Sequence, residues 1–283
     1  MGTSQSSSGP GGGSPLVPPW ADDQPQQPQT TPQPARFMAF RQSLGRFVSG
    51  GDRNDLKSAV GHYARKASGG GGSAARRMGS VTQAGVGLFG ALAGAPAGPS
   101  EAIVDLGSLA GLPCELAISF ITQALTTEDG DSDKIRAAMN HALVEALDGV
   151  DTFDPQCITD DVIVDTMIGY LAESIFLQMV MDSDKAWNKA DTPFQAIRAE
   201  TELRELIKVV VDKHMAPKLV GNVRTLNRQQ MAQIERQTII DAWTEWEPTS
   251  DAVSIPPQSP AAASGQRRFV TSATVWIKRP GPR

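Results

Sequence analysis

Asp160-Asp-Val-Ile-Val-Asp-Thr-Met-Ile-Gly-Tyr-Leu-Ala-Glu-Ser-Ile-Phe-Leu-Gln-Met-Val-Met181 is the stretch whose reading decides the fold. Thr159 is a helix N-cap residue, and Asp160 and Asp161 suit the positive end of a helix dipole. Val162, Ile163, Val164, Met167, Ile168, Leu171, Ile175, Phe176, Leu177, Met179 and Val180 then leave little polar face. A helix apolar almost all round must be central, with other helices covering it. Asp165 and Glu173 lie eight residues apart, two turns along one face. Exposure or pairing with Lys or Arg is the expected state of both.

The flanking sequence supplies the covering helices. Thr192-Pro193-Phe194-Gln195 reads as N-cap, N1 Pro and N3 Gln of a capping box, opening a helix to about Met215. Asn227 and Gln230 repeat the capping pattern for a helix to Glu247 carrying Met231, Ile234, Ile239, Trp243 and Trp246, and the two helices should pair antiparallel. Pro113 starts a helix to about Thr126, and another runs from Lys134 to Leu147 after the acidic loop Glu128–Asp133. That loop lacks the Gly and Glu a calcium loop needs at its sixth and twelfth positions. Nearer the N-terminus, Phe37, Phe40, Leu44 and Phe47 form one stripe of a helix over residues 36–48. Asn54 or Asp55 can cap a second helix to about Ala67. Gly69-Gly-Gly-Gly72 reads as a hinge.

Gly85-Val-Gly-Leu-Phe-Gly90 matches the dinucleotide fingerprint in letters, but no apolar strand precedes it. Close helix packing over small residues, including Gly90 and Gly94, is the reading adopted. No charge occurs between Arg77 and Glu101; the run is too diluted by Gly and Pro to cross a bilayer. A membrane-active role for residues 81–125 is the weakest of the three readings of function.

The predicted fold is all-α: a helical body with a disordered N-terminal arm and an extended C-terminal tail that can form a strand. Its parts are an arm over 1–35, a small basic helical segment over 36–68, the hinge at 69–73, the body at 74–247, a Pro/Ala/Ser-rich linker over 248–266 and a basic tail over 267–283. Phe269–Ile277 in that tail is rich in β-branched residues. The arm is too poor in apolar side chains to offset an ordering cost of ~1–2 kcal/mol per residue. Only Leu16, Val17 and Trp20 are large and apolar there, in the compact plug Leu16-Val17-Pro18-Pro19-Trp20. Pro18 and Pro19 stiffen the plug before it docks. Residues 24–34 continue as a polyproline-like spacer.

Charge is uneven. Residues 36–80 hold nine Arg or Lys against Asp52 and Asp55, residues 81–200 hold nineteen acids against five bases, and the tail holds Arg267, Arg268, Lys278, Arg279 and Arg283 without an acid. Pairing of the basic segments with the acidic middle is favoured over nucleic-acid binding, since no binding motif accompanies the basic run.

There is no phosphate-loop Gly-Lys-Ser/Thr, no Gly-x-Ser-x-Gly, no His-x-x-x-His and no Cys-x-x-Cys. His62, His141 and His214 fall on different helices, and Cys114 and Cys157 read as core thiols. The expectation is a non-enzyme without catalytic, metal or cofactor-binding residues. With no charged and apolar leader pattern, the expected compartment is the cytoplasm.

Removal of Met1 would leave Gly2 as an N-terminal amine of pKa about 7.7–8.0, richer in free base near neutrality than any Lys. Gly2 with Ser6 also matches the myristoylation pattern, but one acyl chain with no nearby basic residue anchors weakly.

Met1-Gly-Thr-Ser, then Ser8-Gly-Pro-Gly-Gly-Gly-Ser-Pro-Leu-Val-Pro-Pro-Trp-Ala21, resembles the B component of the bacterial Qat anti-phage system. Phe40-Arg-Gln-Ser-Leu-Gly-Arg-Phe47, His62-Tyr-Ala-Arg65 and Arg76-Arg-Met-Gly79 fit the same family, most firmly over residues 1–95. The resemblance implies partners: an ATPase of the QatA type, a QueC-like enzyme of the QatC type and a TatD-like nuclease. It carries over no catalytic residue. QueC-type enzymes activate a deazaguanine carboxylate for attack by ammonia, and Gly2 could replace ammonia. On this expectation Gly2 is the modification acceptor, Thr3 and Ser4 are read by the partner's pocket, and Leu16, Val17, Pro18, Pro19 and Trp20 anchor the arm on that partner. The rival expectation is a nucleic-acid-binding adaptor using residues 36–77.

Overall fold

A computed structural model of the chain describes residues 10–11, 13–22, 24–96, 103–126, 128–221 and 223–247. The chain divides into two units, Met1–Pro248 and Thr249–Arg283, and the second lies wholly outside the described residues, as does the expected strand at 269–277.

The described residues hold nine α-helices and no strand. They are α1 (Met38–Val48), α2 (Arg53–His62), α3 (Gly71–Arg77), α4 (Gly79–Ala93), α5 (Cys114–Leu125), α6 (Ser132–Ala146), α7 (Asp160–Asp182), α8 (Pro193–Leu219) and α9 (Arg228–Trp246). The apolar run at 160–181 is α7, and it is the centre of the bundle. It packs against α4, α6 and α8, while α9 closes the outer side of α3, α4 and α8. Ile163, Met167, Leu171, Ile175 and Met179 are fully buried. Among the described helices α7 alone is long and apolar enough to cross a membrane, and 78% of its apolar window is buried inside the protein. The lysine–carboxylate pairs Lys213–Glu245 and Lys218–Asp241 align α8 antiparallel to α9, as expected.

Helix ends follow side-chain capping. Thr159 Oγ1 accepts from the Val162 N–H, and Asn227 and Gln230 form the full capping box of α9. Thr192 Oγ1 accepts from the Gln195 N–H, but the Gln195 side chain takes the Asp191 N–H, so the box there is half formed. Asp52, not Asn54 or Asp55, caps α2; its carboxylate accepts from both of their N–H groups. Helix α8 continues through Pro217 to Leu219, past the expected end near Met215; the proline has no N–H to give the Lys213 carbonyl, and the helix stops two residues later. Gly94 is the left-handed C-cap of α4 at φ +71°, not a packing residue.

The glycine run at 69–72 does not separate two cores. The same apolar core runs from Phe37 to Trp246. Phe40, Tyr63, Trp243 and Trp246 form an unbroken ring series with centroids 4.9, 6.1 and 5.1 Å apart, joining α1 and the π-turn Tyr63–Ala67 to α9. Trp243 Nε1 donates to Ser68 Oγ at 2.7 Å. Gly71 and Gly72 already belong to α3, whose start lies so near α9 that a Cβ on Gly71 would meet the Ile240 carbonyl at 3.1 Å.

Candidate functional site: the N-terminal arm and its seat

Residues 10–35 contain turns and coil with neither helix nor strand among the described positions, in keeping with their proline content. Yet the plug is seated on the chain's own body, where the sequence reading assigned it to a partner protein. Leu16, Val17 and Pro18 are buried, with Ala21 beside them, while Pro19 is exposed. Leu16 rests on Gly69: its Cδ1 is 2.8 Å from where a Cβ would stand, and Gly69 takes φ +79°, so a larger residue is excluded twice over. Trp20 lies across Gly130, whose missing Cβ leaves room for the indole edge at 2.8 Å. The ring is still 56% exposed and borders a cavity of about 540 Å³ with Ser80, Gln83 and Val86. Gly2, Thr3 and Ser4 lie outside the described residues.

Arginines of the basic segment hold the arm's backbone. Arg36 Nη2 donates to the Pro15 carbonyl at 3.3 Å, and Arg41 Nη2 to that of Pro10 at 2.9 Å. Arg76 grips the Asp22 carboxylate with two nitrogens, at 3.1 and 2.8 Å, and also donates to the carbonyls of Gln24, Gln27 and Pro28. Such a fork-to-carboxylate bond is charge-assisted and geometrically specific, and it holds the Asp22 carboxyl below its usual range. Ser80 Oγ donates to the Trp20 carbonyl at 3.1 Å.

A polar chain runs beneath the seat. Tyr63 Oη donates to Asp182 Oδ2 at 2.7 Å, and Gln178 Nε2 donates to the same oxygen at 3.2 Å. Lys134 Nζ donates to Gln178 Oε1 and pairs with Asp131, both at 2.9 Å. Arg77 approaches Asp182 at 3.7 Å. Burial raises the Tyr63 hydroxyl well above its usual range and lowers the Lys134 ammonium, which Asp131 partly offsets. Arg36 Nε and Nη1 and Asp182 Oδ1 stay buried without a hydrogen-bond partner.

Elsewhere, a cleft of about 460 Å³ between α6, α7 and α8 is lined by Glu145, Asp165, Glu205, Lys208 and Asp212. Lys208 pairs with Glu145 across it. Asp165 is exposed, and Glu173 is bound by Arg204 through two nitrogens at 2.8 and 3.2 Å, so the two carboxylates of α7 do not act as a pair. Cys114 is buried and Cys157 half-buried; burial raises the Cys114 thiol. His62, His141 and His214 stand on α2, α6 and α8, and no group of His, Cys, Asp and Glu among the described residues is placed to hold a metal ion.

Residues 69–246, from the glycine under Leu16 to the end of α9, match the family model described as Qat anti-phage system associated protein QatB. The chain belongs to this family. No curated protein and no solved structure matches the chain. QatB membership gives the chain a role in the Qat anti-phage system. The QatB match takes in α3–α9; the arm, α1 and α2 lie outside it, and they supply the plug, Arg36 and Arg41.

The plug is legible in the sequence; its seat is not. Gly69 and Gly130 were visible only as loop glycines, and Arg76 only as one charge in a basic run. The signal available was the pairing of an apolar plug with a following acid, Asp22, in an arm otherwise almost free of charge.

Proposed function

We propose that the chain is a non-enzymatic scaffold and acceptor subunit of the Qat system, its Gly2 amine conjugated by the QueC-like partner. The observation that carries this reading is the anchoring of the arm at Pro10, Pro15, Leu16 and Asp22. An anchored arm delivers its N-terminus from a defined point. Eight residue steps separate Gly2 from Pro10, so Gly2 reaches no farther than about 28 Å from the Arg41 side chain's grip. A partner that takes up Gly2 must therefore dock near α1. In the reaction implied by the QueC resemblance, the Gly2 nitrogen attacks an ATP-activated deazaguanine carboxylate. The amide bond forms as the activating nucleotide leaves and the amine loses a proton. Thr3 and Ser4 remain the residues that the partner's pocket would read, and the QatA-type ATPase and TatD-like nuclease complete the proposed assembly. The plug's role shifts in this reading: Leu16–Trp20 fix the arm to its own body.

The test is intact-mass analysis of the peptide 2–36, which contains no internal Lys or Arg, from cells with and without the partner genes. The expected result is a deazaguanine-amide mass increment on Gly2 only when the QueC-like gene is present. An unmodified peptide in a system that still protects against phage would overturn the reading.

A further inference from the structure

The arm meets the body at a strained residue. Ala35 has φ +52°, the left-handed region that an alanine enters at a cost. It stands between Pro34 and Arg36, at the junction of the spacer with α1. Residues 30–34 are mostly exposed and, among the described residues, make no hydrogen bond to the body. Every contact that seats the arm therefore lies beyond this hinge: Leu16 on Gly69, Trp20 on Gly130 and Ser80, Asp22 on Arg76, Pro10 on Arg41 and Pro15 on Arg36.

None of these contacts requires arm and seat to belong to one chain. An arm that left its seat without replacement would expose Leu16 and Val17 and strip Asp22 from Arg76. An arm supplied by a second copy restores all of these contacts and lets Ala35 relax to extended backbone. A hinge under strain favours such exchange. Residues 29–35 in polyproline-like form span roughly 22 Å, enough to reach a neighbouring seat.

We propose that the arm is exchanged between two copies of this chain, residues 10–28 of each occupying the seat on the other. Reciprocal exchange closes a two-fold dimer in which each seat is filled. The closed monomer and the exchanged dimer bury the same side chains, so concentration and the strain at Ala35 set the balance between them. This holds independently of any modification at Gly2.

A charge swap in the full-length chain tests it. Asp22→Arg places two cations in the clamp, and Arg76→Asp places two anions there, so each variant alone mismatches its seat both as a monomer and as a homodimer. Mixed, an exchanged heterodimer pairs Arg at 22 with Asp at 76 in one seat and restores the native pair in the other. Light scattering should give each variant alone the mass of one 30.1 kDa chain and the equimolar mixture twice that mass. Chymotryptic cleavage after Leu16 and Trp20 should slow at least tenfold on mixing. A mixture that stays monomeric and is cleaved at the rates of its components overturns the proposal.

The hinge gives a second measurement that leaves the seat untouched. Ala35→Gly removes the strain and should weaken wild-type dimerisation at least fivefold. A wild-type chain that exchanges no subunits between differently tagged copies, or a dissociation constant unmoved by Ala35→Gly, overturns it equally.

Discussion

Glu235 enters the junction of α4, α7 and α9 fully buried, with no hydrogen-bond partner for either carboxylate oxygen. It lies against the Cα of Gly85 and the ring of Tyr170; a Cβ on Gly85 would meet Glu235 Oε1 at 2.2 Å and Tyr170 Cε1 at 2.8 Å. The glycines resembling a dinucleotide fingerprint thus serve helix packing, as the missing strand before them implied. Burial pushes the Glu235 carboxyl well above its ordinary value, because an unpaired carboxylate in an apolar core is far costlier than a neutral acid. Native Glu235 keeps its proton at pH values where the unfolded chain has lost it. Its stabilising contribution is therefore complete below the unfolded value near 4.3 and is lost as pH rises toward the raised folded value, at about 1.4 kcal/mol per pH unit. Glu235→Gln removes this slope. Urea unfolding at pH 5 and pH 7 should show the wild type losing at least about 1 kcal/mol more over that interval than the variant; parallel losses would refute the assignment.

At the scale of elements, legibility tracked how local the deciding interaction is. The N-caps of α7, α8 and α9 were readable from Thr159, Thr192 and Asn227, because the hydroxyl or amide and its N–H target lie three residues apart. Asn227→Ala should cost about 1 kcal/mol in thermal or urea unfolding, with Asn227→Ser restoring most of it. Helix α3 was not readable. Its glycines argue against a helix by propensity, and only the close approach to α9 at Ile240 explains them. The same holds for the exposed Leu116 and Phe120 on α5: their type suggested burial, but the helix turns Cys114, Ala117, Ile118, Ile121, Thr122 and Leu125 inward instead. The seat of the arm is the extreme case. Leu16 and Gly69, or Asp22 and Arg76, are more than fifty residues apart, and no period in the sequence links them.

For the molecule as a whole, the charge distribution separates the scaffold reading from the nucleic-acid one. Five of the nine cations in the basic segment are held within the fold: Arg36 and Arg41 hold arm carbonyls, Arg46 pairs with Asp55, Arg76 with Asp22 and Arg77 with Asp182. Cations already facing carboxylates release few counterions on meeting DNA, and the salt dependence of DNA binding counts those released. Replacing Arg76 and Arg77 by Ala should leave any DNA affinity, and its slope against log salt, unchanged. The cations of residues 267–283 are common to both proteins and cancel in the comparison. The same double replacement should instead act on the fold. Losing Arg77 leaves the buried Asp182 carboxylate with less compensation, at about 3 kcal/mol, and losing Arg76 frees Asp22, so the arm becomes protease-sensitive. Filter binding from 50 to 200 mM salt, run beside urea unfolding of the same two proteins, decides the matter. Unchanged binding with lowered stability marks these arginines as the clamp of the arm. A slope that falls by about two on replacement, with stability intact, would instead make residues 36–77 a nucleic-acid surface.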